Sequence, residues 1–149
     1  MNAPFSHRRP HCPYCAETVH SWHQGAWIEP CDRCKRPIVL LRSPLDWNGP
    51  LRMRGLLDVA STAYGFATVV LVVTFVISDM SAITFAKALT LLLFVIGSIL
   101  CVDGGLGLRS RIDRTWKALR FGRVAVWFSA AKIACGVTAM LLVTVGLGL

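Results

Sequence analysis

Residues 59–77, VASTAYGFATVVLVVTFVI, decide the fold of this chain. The stretch holds nineteen residues without a charge, and its apolar residues would fall all round a helix rather than on one stripe. A helix of about 20 apolar residues crosses the hydrocarbon core of a bilayer, which is roughly 30 Å thick. Contact with lipid on every side requires apolar residues on every side. The stretch therefore predicts a transmembrane helix.

Two further stretches have the same character. Residues 82–102 carry one charge, Lys87, and residues 124–149 carry one charge, Lys132. A buried helix bundle in a soluble protein is the alternative, but three spans with almost no polar face disfavour it. We predict an all-α integral membrane protein with three transmembrane helices, at 59–77, 82–102 and 124–149. The four residues 78–81 are so short a connection that the first two spans must form an antiparallel hairpin.

Basic residues indicate how the spans are oriented. Fourteen of the sixteen Lys and Arg residues lie before the first span or between the second and third: Arg8, Arg9, Arg33, Lys35, Arg36, Arg42, Arg52, Arg54, Arg109, Arg111, Arg114, Lys117, Arg120 and Arg123. Lys and Arg accumulate in the cytoplasmic segments that flank membrane spans. We therefore predict a multi-pass protein of the inner (cytoplasmic) membrane, with the N-terminus in the cytoplasm and the C-terminus outside. The net charge of +8 could instead attract nucleic acid, but its placement beside the spans disfavours that partner.

The connection between the second and third spans has a pattern of its own. Leu108, Ile112, Trp116 and Leu119 recur at spacings of four, four and three, with cations between them. This pattern predicts an amphipathic interfacial helix over 108–121, with its apolar face in the bilayer and its cations on anionic lipid. A cytoplasmic helix packed on a partner is the alternative. The glycines at 104, 105 and 107 would allow a sharp exit from the second span.

Composition changes near residue 55. Residues 1–55 contain all four histidines, all seven prolines and four of the six cysteines. We predict a small β-rich zinc ribbon on the cytoplasmic side over 1–43, a linker over 44–55 and the membrane domain over 56–149.

Four cysteines define the N-terminal module. Cys12-Pro-Tyr-Cys15 and Cys31-Asp-Arg-Cys34 are two C-x2-C pairs separated by fifteen residues, which is the spacing of a zinc ribbon. Zn²⁺ takes four thiolates in a tetrahedron, and a module this small needs the metal for stability. Two disulfides are the alternative, but a cytoplasmic, reducing compartment favours metal binding. Zinc is therefore the expected cofactor.

Over residues 10–40 the module resembles the zinc-ribbon and rubredoxin-like knuckle families, and the resemblance implies that Cys12, Cys15, Cys31 and Cys34 are the metal ligands. Ala16 and Lys35 stand where those knuckles often have glycine, which favours zinc over a rubredoxin iron site. A ribbon ahead of membrane helices is also similar in layout to the paraquat-inducible membrane protein A family, which implies a role in envelope lipid traffic.

Several other side chains have two interpretations each. His20 and His23 could bind a second metal or be solvated loop residues, and His11 could replace a cysteine ligand. Trp22 and Trp27 could cover the ribbon core or form a partner-binding surface. The remaining candidates are small residues that would let helix backbones approach, namely Ser61 and Gly65 on the first span and Ala131, Cys135 and Ala139 on the third.

Lys132 lies at membrane depth, where charges are functional candidates. Asp58 and Asp103 border the first two spans on the same side, so either could reach it. We expect a structural ion pair or a snorkelling lysine rather than a transport relay, because no acidic residue lies deeper in any span.

No Ser-His-Asp set, carboxylate pair, Walker loop or dinucleotide fingerprint is present, so we expect no catalytic residues and no enzymatic activity. The leading hypothesis is a non-catalytic subunit that anchors and docks a larger membrane assembly through its ribbon. Its partners would be membrane lipid and other membrane-protein subunits, or further copies of itself. The alternatives are a component of a lipid or small-molecule transport system, rubredoxin-like electron transfer, and membrane-tethered nucleic-acid binding through Arg33, Lys35, Arg36 and Arg42.

Overall fold

Three long helices account for most of the chain in this computed structural model, which describes residues 10–41, 52–115 and 118–148. The elements in chain order are β1 (Ile28–Pro30), β2 (Pro37–Leu41), β3 (Arg52–Gly55), α1 (Leu56–Ile77), α2 (Ala82–Ser110), β4 (Ile112–Thr115), β5 (Ala118–Phe121) and α3 (Gly122–Leu147). Arg8, Arg9, Arg42, Trp116 and Lys117, and the final residue of the third predicted span, lie outside the described residues.

The three helices are each long and apolar enough to cross a membrane, which indicates a multi-pass membrane protein. Phe75 near the end of α1 and Phe85 near the start of α2 bring their ring centroids to 4.2 Å, so the two helices form the predicted hairpin. Ser81 begins α2 by accepting a hydrogen bond from the Thr84 backbone N–H. Such N-caps satisfy backbone donors that a helix start leaves free.

Helix α2 continues eight residues beyond the predicted span. Its 29 residues correspond to about 43 Å at 1.5 Å per residue, which exceeds the roughly 30 Å hydrocarbon core. The predicted sharp exit at glycines 104, 105 and 107 is wrong, because the helix ends only at Arg111, whose φ is 53°. Gly104 and Gly107 are buried in the helix, and this packing offsets the cost of about 1 kcal/mol per helical glycine.

Small residues bring α2 and α3 together. A Cβ on Gly104 would lie 2.7 Å from the Ser129 carbonyl oxygen, and one on Gly136 would lie 2.8 Å from the Gly97 carbonyl oxygen. Both distances are too short for real contacts, so the two backbones approach only because these side chains are absent. Of the predicted contact residues, Ala139 is buried on this seam, whereas Ser61, Gly65, Ala131 and Cys135 are exposed. Small residues four positions apart could be recognised in the sequence, but the helix face on which they lie could not.

The ribbon sheet includes part of the predicted linker. Strands β1, β2 and β3 form an antiparallel sheet in that order, and Leu40 on β2 pairs with Met53 on β3. Met53 packs against the ribbon core. Because α1 begins at Leu56, directly after β3 ends at Gly55, the sheet continues into the first helix without a break. We call the end of the three-helix unit that meets this sheet the ribbon end.

A β-hairpin replaces the predicted interfacial helix. Strands β4 and β5 pair antiparallel, with Asp113 opposite Arg120, so the prediction of a helix over 108–121 is wrong. Asp113 is fully buried, while Ile112 packs against the ribbon core on the other face of the strand. Successive side chains of a strand point to opposite faces, so Asp113 can be buried on one face while Ile112 packs against the ribbon core on the other. Tertiary contacts of this kind override a helical spacing of four apolar residues.

Candidate metal centre

Four sulfur atoms converge at the core of the ribbon. The Sγ atoms of Cys12, Cys15, Cys31 and Cys34 all lie within 4.8 Å of one another, and none of these cysteines forms a disulfide. The Sγ atoms of Cys12 and Cys34 are 3.8 Å apart, and those of Cys15 and Cys31 are 3.7 Å apart. A tetrahedron with Zn–S distances of about 2.3 Å has edges of about 3.8 Å. The donor set therefore fits one tetrahedral metal ion.

The two C-x2-C segments have the same backbone geometry. In each, the first cysteine carbonyl accepts the N–H of the residue four positions later, and its own N–H donates to the carbonyl five positions later. These bonds are Ala16 N to Cys12 O (3.0 Å), Cys12 N to Glu17 O (2.8 Å), Lys35 N to Cys31 O (2.8 Å) and Cys31 N to Arg36 O (2.9 Å). We call the two segments the first and second knuckles. Their repetition places two thiols from each knuckle on the shared centre.

Both knuckles contain a residue in the left-handed backbone region. The φ angle is 58° at Ala16 and 57° at Lys35. These are the positions where glycine is common in the families that the module resembles. A residue with a Cβ costs about 1–2 kcal/mol in this region. The chain therefore keeps the knuckle turn without its usual glycines.

Two of the thiols, those of Cys12 and Cys15, favour the protonated form when no cation is near. The pKa of Cys12 is raised by its hydrogen bond to the Cys34 thiol and by burial. Burial is also the main cause that raises the pKa of Cys15 to about 11. The Tyr14 backbone N–H, 3.4 Å from the Cys12 sulfur, acts in the opposite direction. A bound divalent cation stabilises thiolates, so metal binding at this site would release protons.

A small apolar core surrounds the sulfur cluster. Tyr14 and Ile38 are buried within it, and Trp22 packs on its edge while its ring N–H donates to the Ala26 carbonyl at 2.8 Å. Trp22 thus covers the ribbon core, which is one of the two roles that the sequence suggested for it. Trp27 does not, because 76% of its surface is exposed.

None of the histidines that the structure describes belongs to the four-donor metal site. Its four donors are all thiols, so His11 replaces none of them. His23 Nδ1 pairs with the Glu29 carboxylate. Within the described residues, no second group of three or more metal-binding side chains occurs.

Arg36 joins the second knuckle to the helices. It lies two positions after the predicted ligand Cys34 and is only 1% exposed. Its guanidinium carbon lies 4.6 Å from the Tyr14 ring centroid, and Nη1 is 3.6 Å from Asp103 Oδ1 on α2. Gly107 leaves room for it, since a Cβ there would lie 3.2 Å from Nη2. The alternative in which Arg36 joins a basic face for nucleic acid is therefore wrong for this residue, because its side chain is buried.

Lys132 completes a cluster of two buried charges, Arg36 and Asp113, and two half-buried ones, Asp103 and Lys132 itself. Its Nζ lies 2.5 Å from Asp103 Oδ2 and 2.5 Å from Asp113 Oδ1. The expected ion pair with Asp103 is confirmed, whereas Asp58 pairs instead with Arg114 at 3.0 Å. We call Arg36, Asp103, Asp113 and Lys132 the buried charge network. It contains two cations and two carboxylates, which is the balance that buried charges require.

Arg36 and Asp113 are the two structural residues that sequence reasoning missed. One signal was present, because Asp113 is the single acidic residue between positions 104 and 123, among six basic ones. Arg36 gives no such signal, since its neighbour Lys35 is exposed and carries the same charge.

Comparison with known families, characterised proteins and solved structures gives no match to this chain. The similarity to the paraquat-inducible membrane protein A family therefore remains one of layout. The four-cysteine cluster supports the resemblance to a zinc-ribbon knuckle.

Proposed function

We propose that this chain is a non-catalytic subunit of a larger assembly in the inner membrane, and that its zinc-filled ribbon docks a protein partner on the cytoplasmic side. In this proposal the helices anchor the chain and the ribbon presents a rigid surface. The N-terminus lies in the cytoplasm and the C-terminus outside.

The observation that carries the proposal is an exposed apolar pair on the ribbon. Trp27 is 76% exposed and Ile28, which begins β1, is 51% exposed. Tryptophan is enriched among residues that dominate protein–protein binding. β1 is also an edge strand of the ribbon sheet, and edge strands offer unpaired backbone groups to another chain. A second protein could bury the pair and add to this edge.

The attachment of the ribbon to the helices supports a docking role. Arg36 contacts Asp103 on α2, and Arg114 of the hairpin donates to the Pro13 carbonyl at 3.4 Å and to Asp58 on α1 at 3.0 Å. The second knuckle and the first are thus each tied to the membrane helices. A surface fixed in this way transmits the position of a bound partner to the helices.

Photo-crosslinking tests the docking surface. A photo-reactive phenylalanine analogue replaces Trp27 in cells that express the full chain. Gln24, which is also exposed but precedes strand β1, serves as the control position. We expect a discrete adduct with a different protein from position 27 and none from position 24. Equal crosslinking at both positions, or an adduct only with a second copy of this chain, would contradict the proposed role.

Charge placement supports the orientation. The basic residues Arg52, Arg54, Arg109, Arg114 and Arg123 all lie in or next to elements at the ribbon end. An alkaline phosphatase fusion at the C-terminus should be active outside the cell, whereas a fluorescent protein fused at the N-terminus should fluoresce in the cytoplasm. Phosphatase inactivity in the C-terminal fusion would contradict this orientation.

Metal analysis tests the cofactor. We expect purified protein to contain about one zinc per chain and to be colourless, because Zn²⁺ has a filled d shell. Stoichiometric iron with a visible absorption band would contradict zinc and favour rubredoxin-like electron transfer instead.

A further inference from the structure

A cleft of about 730 Å³ opens at the ribbon end of α1. The first knuckle, strand β3, the first two turns of α1 and the hairpin form its walls. For scale, one water molecule takes up about 30 Å³ of the liquid. The cleft therefore has room for a group much larger than a small inorganic ion.

Among its Arg and Asp side chains the cleft has an excess of positive charge, and Cys12 of the metal centre also lines it. Arg52, Arg54 and Arg114 line it together with a single carboxylate, Asp58. Asp58 is paired with Arg114 at 3.0 Å, and neither Arg52 nor Arg54 makes an ion pair with any residue that the structure describes. Arg52 and Arg54 flank Met53, which packs against the ribbon core and also lines the cleft. The two arginines therefore belong to the same face of β3, and both line the cleft.

The position of the cleft relates it to the bilayer surface. Ser61 and Thr62 in the second turn of α1 line its far wall, and the uncharged part of α1 begins at position 59. The exposed side chains of Phe66, Val69 and Val70 follow along the same helix. A ligand seated in the cleft would thus contact arginines and also lie next to the start of the apolar part of α1.

An amphiphile with a negatively charged head group suits both features, because its head can pair with the arginines and its acyl chains can contact the apolar side chains of α1. Arginine presents a planar set of N–H donors that suits phosphate oxygens, and hydrogen bonds to a charged group are the strong ones. Cationic pockets beside membrane helices bind anionic lipid head groups for this reason. We propose that this cleft binds the phosphate group of an anionic membrane lipid, that Arg52 and Arg54 hold the phosphate, and that the acyl chains lie along α1.

Lipid titration of the metal-loaded full chain tests the proposal. Protein in an uncharged detergent is titrated with short-chain phosphatidylglycerol, short-chain phosphatidylcholine or inorganic phosphate, and bound ligand is counted by native mass spectrometry. The test variant is R52Q/R54Q. The matched control is R109Q/R123Q, which removes the same charge from two exposed positions outside the cleft. A third variant, R52K/R54K, keeps the charge but loses the planar donors.

We expect R52Q/R54Q to raise the Kd for phosphatidylglycerol at least tenfold, R52K/R54K to raise it less, and R109Q/R123Q to change it less than twofold. Phosphatidylcholine and inorganic phosphate should bind at least tenfold more weakly than phosphatidylglycerol. An equal loss in the control variant would reduce the effect to general charge attraction and overturn the proposal. Displacement of the lipid by an equal concentration of phosphate would identify free phosphate as the ligand, and displacement by an acidic peptide would identify a protein segment. If R52Q/R54Q fails to fold, the comparison rests on R52K/R54K. An unchanged Kd for phosphatidylglycerol in that variant, together with weaker binding in R109Q/R123Q, would also overturn the proposal.

Discussion

Replacing Lys132 by methionine tests the buried charge network. Lys132 is the partner of two carboxylates at 2.5 Å each. After Lys132→Met, Asp103 retains Arg36 at 3.6 Å. Among the described residues, Asp113 then retains only the Thr115 hydroxyl at 2.5 Å as a side-chain partner, and it is fully buried. The variant therefore leaves one uncompensated buried charge, at Asp113.

Removing one partner of a buried ion pair costs about 3–5 kcal/mol. For a chain of 150–250 residues, 1 kcal/mol shifts Tm by about 2–4 °C, so we expect Tm to fall by roughly 10–15 °C. Methionine is more soluble in lipid than lysine, so membrane insertion itself is not impaired. The loss should therefore come from the carboxylate that remains.

A second substitution identifies that carboxylate. Adding Asp113→Asn to Lys132→Met removes the orphan charge and should restore about half of the lost Tm, because an amide costs less to bury than a carboxylate. Lys87→Met is the control, since Lys87 is exposed on α2, and it should shift Tm by less than about 2 °C. Thermal unfolding in detergent, followed by size-exclusion chromatography, gives each Tm. A wild-type Tm in Lys132→Met, or no recovery in the double variant, would refute the reasoning.

Three further predictions concern the knuckles and the helix seam. Lys35→Gly should slow the transfer of zinc to a chelator, because it removes the steric strain of a side chain at φ 57°. The substitution should stabilise the knuckle by about 0.5–1 kcal/mol. Faster transfer would contradict this. Gly104→Ala should lower Tm by several degrees because its Cβ would meet α3, whereas Gly105→Ala has nothing within 4 Å and should raise Tm slightly through helix propensity. Removal of the metal by a chelator should increase maleimide labelling of Cys101, which packs against Gly136. Labelling of the exposed Cys135 should not change, as measured by peptide mass spectrometry. Unchanged labelling of Cys101 would mean that the ribbon and the helices are independent.

Local sequence features predicted the parts of this fold that depend on local physics. An uncharged run such as residues 59–77 needs no partner to be recognised, because its preference for lipid belongs to the run itself. The C-x2-C spacing likewise brings two thiols together within one turn, whatever surrounds it. The remaining step, two knuckles meeting at one centre, follows from the valence of the metal.

The features that the sequence did not predict depend on contacts between distant residues. The pattern around Ile112 suited an amphipathic helix. The contacts that favour a strand instead are distant ones, namely Asp113 with Lys132, nineteen positions away, and Ile112 with the ribbon core. Helix α2 extends beyond its predicted end for a similar reason. Gly104 would destabilise an isolated helix, but here it fits against Ser129 on α3. Neither effect appears in the periodicity of a single segment.

Arg36 shows how the metal site and the helix packing depend on each other. None of its guanidinium nitrogens has a hydrogen-bond partner among the described residues. The contacts that offset its burial are the Asp103 carboxylate at 3.6 Å and the Tyr14 ring face at 4.6 Å. A divalent cation with four thiolates carries a net charge of about −2, and Arg36 follows the last ligand by two positions. In the loaded ribbon, this negative charge would add to the compensation of the arginine. We therefore expect metal loading to stabilise the buried position of Arg36, and with it the docking of the ribbon on α2.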